Sequence, residues 1–120
     1  PQFCWQQDGS TVQSREITVK ACFQLGAVLY SKHARYEMRN EEFGEIAEQE
    51  VYEAVSNSQV IEEYPHDKPY ESRLLMGMTG DSRPLHVLCA YVPEDKTTIV
   101  ITAYEPEPNR WIEFKRRKKQ

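Results

Sequence analysis

Two histidines, a tyrosine and a glutamate are the side chains in this chain whose types and spacing suit proton-transfer chemistry. His86 lies in RPLHVLCAYV and Tyr104 in TTIVITAY, two β-prone runs separated by the polar turn PEDK, so both are expected on one β-hairpin. His33 opens the helical segment SKHARYEMRN, with Glu37 four residues on and therefore on the same helical face. Histidine titrates near neutral pH and serves as base or acid without a large shift. Tyrosine, with an ordinary pKa of about 10, is a good donor and a poor base. The first turn of a helix also favours an anion, so His33 sits where a phosphate can dock. A fold that joins this helix to the hairpin would unite His33, Glu37, His86 and Tyr104 as a catalytic constellation. His33, Glu37 and His86 also make a two-histidine, one-carboxylate set of the kind that suits iron or zinc, which is a competing reading.

Arg39, Arg83 and Trp111 are the candidate substrate-binding residues. Arg35 and Arg39 share one helical stripe, and about 160° of rotation separates Arg35 from His33, so those two do not share a ligand easily. Arg83 immediately precedes the His86 strand. Trp111 follows the EPEPN segment, where it closes a core edge or stacks a base. Each residue also has a plain structural role available: a polar cap for His33, solvated surface for the arginines, and core for Tyr36 and Met38.

The elements that must position these groups follow from periodicity. PQFCWQQDGSTVQS has neither helical nor strand periodicity, and residues 1–14 are read as a loose arm. Between Arg15 and Leu25, Ile17, Ala21, Cys22 and Leu25 fall on one helical arc that Gly26 ends, although Ile17, Val19, Ala21 and Phe23 also alternate as in a strand. An extended bridge, Ala27 to Tyr30, leads to Ser31 as the N-cap of a helix over Lys32 to Phe43, closed by Gly44. A third helix is expected from Ile46 to Val55, acidic on its outside. Beyond Asn57, β-branched and aromatic residues predict strands Gln59–Tyr64, Arg73–Met78, Pro84–Val92 and Thr97–Tyr104, joined by HDKPY, TGDSR and PEDK as an antiparallel meander. The fold class is therefore α+β, N-terminal helices packed on one antiparallel sheet, in a single domain over residues 15–115. A basic tail, residues 116–120, follows.

Hairpin register decides whether His86 and Tyr104 cooperate. An odd-length loop pairs them and leaves Val87, Cys89, Tyr91, Ile99, Ile101 and Ala103 as an apolar face, so that register is expected. Leu74, Val87, Cys89, Ile99 and Ile101 are the expected core of the sheet.

With 120 residues the chain suits one core, and its 28% charged and 39% hydrophobic residues suit a folded protein. Net charge of −4 argues against a broad cationic surface for nucleic acid, although Lys115 to Lys119 form a basic run. Cys4, Cys22 and Cys89 are odd in number and lack short paired spacings, which supports neither a disulfide framework nor a cysteine-rich metal site. No apolar run approaches the roughly 20 residues of a membrane span, and no secretory signal pattern is present, so a cytoplasmic location is expected.

The motifs SKHARYEM, GEI followed by EVYEAV, VIEEYP, RPLHVLCAYV and ITAYEPEPNRW resemble a bacterial family of small domains of unknown function, abundant in cyanobacteria. Those domains commonly read HA, then PLHVVCA, then ITVYEPDPxxW. The resemblance covers about Ile17 to Lys115, with Ala103 where the family usually has Val and ESRLLMGM in place of PSCLLLGR. That family in turn resembles the RelE, BrnT and MqsR toxin ribonucleases. The resemblance implies a toxin of a two-component module that cleaves RNA; cleavage without a metal or other cofactor needs a base, an acid and donors for the phosphoryl charge, roles that His33 and His86 with Tyr104 can fill by their own chemistry. It also implies a zinc-finger antitoxin of the MqsA or YgiT kind as partner. A noncatalytic partner-binding or regulatory module on a toxin-like fold is the alternative, since an acidic surface suits a protein partner better than bare RNA.

Overall fold

A computed structural model describes residues 19–108 and 111–117. The proposed arm at residues 1–14 and residues 15–18, read from the sequence as the start of the first helix, lie outside that range. The chain folds as helices packed on a five-stranded, mostly antiparallel open sheet, the α+β class its periodicity implies.

Helix α1 covers residues 19–25 and buries Val19, Cys22 and Phe23. Gly26, at φ +76°, adopts the left-handed conformation that ends it. Val28–Tyr30, expected as a bridge, is a strand, β1. Ser31 caps α2 (Lys32–Arg39) by accepting from the Ala34 amide, and its hydroxyl donates to the Ile101 carbonyl, which ties the helix start to the sheet. Helix α2 ends at Asn40, four residues before the expected Gly44 stop. The Asn40 backbone and side-chain N–H groups both donate to Tyr36 O. The chain then folds back, Ile46 N donating to Met38 O, before α3 (Glu48–Ser56). Ala47 has no capping oxygen, so the Glu50 carboxylate reaches back to its amide.

Four strands follow: β2 (Gln59–Tyr64), β3 (Ser72–Met78), β4 (Pro84–Val92) and β5 (Thr97–Tyr104). They form the expected meander, and β1 adds a parallel edge beside β5, giving the order β1-β5-β4-β3-β2. The sheet is thus not purely antiparallel. A parallel neighbour needs a crossover, and α2, α3 and the first three meander strands supply it.

One face of the sheet carries Leu75, Leu85, Val87, Cys89, Val100 and Ala103, which join Phe23, Ala34, Met38, Val51, Ala54 and Val55 from the helices in one core cluster. Burial of each large aliphatic side chain there contributes roughly 1.5–3 kcal/mol, which pins the register. Leu74, Val87 and Cys89 are buried as expected, whereas Ile99 and Ile101 are only half-buried. The loop between β4 and β5 has four residues, pairing Val92 with Thr97, where an odd number was expected. A bulge at Leu88/Cys89 then shifts the pairing by one, inserting Ile101, so that Cys89 faces Val100 but His86 faces Tyr104.

The basic run is not wholly a tail. Arg116–Arg117 forms a strand, β7, paired antiparallel with β6 (Trp111–Ile112) in a small second sheet.

Candidate functional site

His86 alternates with Leu85 and Val87, both in the helix-covered core, so its ring projects to the opposite face of the sheet. There it is fully buried. Its ring lies edge-on to Trp111 at 4.4 Å between centroids and edge-on to Tyr104 at 5.2 Å. Nε2 is 2.5 Å from the Phe114 carbonyl oxygen and Nδ1 is 3.1 Å from the Tyr104 hydroxyl. A carbonyl only accepts, so the Nε2 proton is assigned by its partner, and in the neutral ring Nδ1 accepts from Tyr104. Three of the residues singled out in the sequence, His86, Tyr104 and Trp111, therefore form one cluster, under the C-terminal hairpin.

Phe114 is the member of this cluster that sequence reasoning missed. It and Glu113 turn the hairpin at φ +63° and +53°, in the left-handed region that glycine or asparagine usually fills. Neither residue carries a turn signature, which is why NRWIEFKRR does not read as a hairpin.

His33 lies in the first turn of α2 and is exposed. Among the described residues neither its side chain nor that of the half-buried Glu37 makes a hydrogen bond, ion pair or ring contact, so His33 and Glu37 share a helical face without pairing, and no side-chain contact joins His33 to His86. Arg39 is exposed in the last turn of the same helix and makes no ion pair among the described residues.

Arg83 is fully engaged. Nε donates to Glu105 at 2.6 Å, Nη1 to both Glu50 oxygens and to Glu45 O, and Nη2 to Gly44 O. Burial works against its charge, but the paired carboxylates Glu105 and Glu50 hold its pKa above the ordinary value. The residue before β4 thus clamps the 44–50 segment to the end of β5, and few donors are left for a substrate phosphate.

Cys22 and Cys89 are free and buried. Burial pushes the Cys89 thiol up to about 12, which makes it a poor nucleophile. Among the described residues, no cluster of three or more His, Cys, Asp or Glu side chains can hold a metal ion. No helix among them is long and apolar enough to cross a membrane.

Residues 30–105, more than half of the chain, match the family described as Domain of unknown function (DUF4258). The chain belongs to that family. No curated protein and no solved structure matches it.

Proposed function

We propose that this DUF4258 domain acts by binding a protein partner, as a noncatalytic or regulatory module on a toxin-like fold. The observation that carries this reading is the closure of His86: it has no accessible surface, and both ring nitrogens are engaged, by Phe114 O and Tyr104. A general base must reach the proton it abstracts, and a ring held in this way reaches none. The outer helical layer offers a surface for a partner instead. Tyr36, Phe43 and Tyr52 are exposed there at 61%, 45% and 38%, among the exposed residues Glu42, Glu45 and Glu48. Exposed aromatics anchor interfaces, and the carboxylates near Phe43 and Tyr52 suit cationic groups on a partner, whereas Lys32 and Arg39 share the helical face of Tyr36. A zinc-finger antitoxin of the MqsA or YgiT kind, which the toxin resemblance implies, is the partner proposed.

The test is inducible expression of the wild type, His33→Ala and His86→Ala, followed by growth and RNA integrity. Intact RNA in all three strains supports a binding role. RNA cleaved by the wild type and spared by either variant overturns it.

A second reading, metal-independent RNA cleavage by His33 and His86 with Tyr104, is favoured by the cross-strand pairing of His86 with Tyr104. It requires the C-terminal hairpin to leave His86, with Arg39 or Trp111 meeting the RNA. On this reading chelation leaves cleavage intact, and either histidine variant lowers it at least about a hundredfold, the usual scale of acid–base assistance.

A further inference from the structure

Toward the other end of β4, on the helix-covered face, a cavity of about 310 Å³ lies against Arg73, Cys89 and Tyr91. Pro69 and Tyr70 from the connection between β2 and β3, and Pro93 from the turn after β4, close its sides. Arg73 stands opposite Cys89 in the strand register. Its side chain is only 7% exposed, and its ion pair runs from Nη1 to a Glu63 oxygen at 3.2 Å.

A guanidinium has five N–H donors. Among the described residues the Glu63 bond is the only one the Arg73 side chain makes. Its other nitrogens are not sealed off from solvent either, since Thr98 Oγ1 alone is both buried and without a partner there. Donors that lack a protein acceptor but keep access to solvent, on a side chain this covered, open into the cavity that Arg73 lines. The remaining walls are the rings of Tyr70, Tyr91, Pro69 and Pro93, the Val19 side chain, Glu71 and the Cys89 thiol, which burial keeps protonated up to about pH 12.

We propose that this cavity binds a small aromatic monocarboxylate, its carboxylate held by Arg73 and its ring packed among Tyr70, Tyr91, Pro69 and Pro93. Arginine matches a planar carboxylate with two parallel hydrogen bonds. The volume is at the lower end for ligand sites, which suits a compound of one ring. One negative charge is the limit, because Glu63 already shares the guanidinium and Glu71 stands at the cavity wall. A phosphate dianion would face both carboxylates.

The test is calorimetric titration of the full chain with 3-phenylpropionate, 3-phenylpropanamide, phenyl phosphate and the peptide N-acetyl-Gly-Gly-Phe. Saturable binding of 3-phenylpropionate in the millimolar range or tighter is expected, with the amide and the phosphate at least tenfold weaker. Arg73→Gln should abolish binding. Arg73 is buried and its loss can unfold the chain, so Glu63→Gln provides a variant on the exposed side of the pair. Removing the competing carboxylate there should tighten binding at least threefold. No saturable binding by the wild type, equal binding of the amide, or unchanged affinity in Glu63→Gln would overturn the proposal. Tighter binding of the peptide than of the free acid would overturn the assignment to a small molecule.

Discussion

His86 shows how one side chain can read as chemistry in the sequence and serve as a fastener in the fold. A polar residue inside PLHVLCAYV is the kind of interruption that marks a site, because burying it without partners is costly. Here the partners are present: the Phe114 carbonyl, the Tyr104 hydroxyl and the edge contact with Trp111. His86→Ala leaves a cavity and two orphaned polar groups, so a loss of about 2–4 kcal/mol is expected in urea unfolding. The same variant should release the C-terminal hairpin, and trypsin should then cut at Lys115 much faster than in the wild type. An unchanged cleavage rate would mean that the hairpin is held by something other than His86. The pairing of His86 with Tyr104 was expected from a strict alternation that the fold does not keep, since Val100, and not Ile99 or Ile101, joins Cys89 in the core. The partner on Nε2 was not legible, because it is a backbone carbonyl in a turn that lacks turn residues. Arg83 was misleading in the opposite way: its acceptors Glu50 and Glu105 lie 33 and 22 residues away in the chain, where only the fold brings them together.

At the scale of elements, the strands β2, β4 and β5 fall at the residues that β-propensity marked, and β3 begins one residue earlier. Register was reached by a different route. Even loop length alone would have placed His86 opposite Ala103, and the bulge at Leu88/Cys89 corrects it. A bulge leaves no local sequence mark, and Ile101, the residue it inserts, looks like any other core isoleucine. Strand β1 escaped notice because three residues carry too little alternation to separate a strand from a bridge. Gly77 was not singled out in the sequence either, although a glycine inside an apolar strand goes with close backbone approach. A Cβ there would stand 1.9 Å from the Ala54 carbonyl oxygen, so α3 can lie on β3 only because the side chain is missing. Gly77→Ala must push the helix off the sheet, at an expected cost of about 1–3 kcal/mol or more. Gly80→Ala is the control: its nearest neighbour is the flexible end of Glu53 at 3.4 Å, and denaturant unfolding should show a markedly smaller loss.

At the scale of the molecule, burial of groups that must stay protonated makes stability depend on alkaline pH. Desolvation raises the Cys89 thiol from 9.0 to about 12. Tyr30 goes from 10.0 to about 12, through burial first and then the nearby Glu48 carboxylate. In both, the native state holds a proton that the unfolded chain has already released. The stabilisation is therefore complete below the unfolded pKa and is lost as pH rises through the interval up to the folded one. For Cys89 that interval runs from about 9 to about 12, and each pH unit within it lowers stability by up to about 1.4 kcal/mol. Tyr30 adds less, because it is only half-buried and solvent screens its charge. Chemical denaturation between pH 7 and 11 should show stability flat to about pH 9 and falling beyond it. Cys89→Ala removes one of the two protons, so it should start from lower stability, by a cavity penalty of about 1–3 kcal/mol, yet decline less steeply. A parallel decline in wild type and variant would place the alkaline sensitivity outside the thiol, with Tyr30 as the next group to substitute.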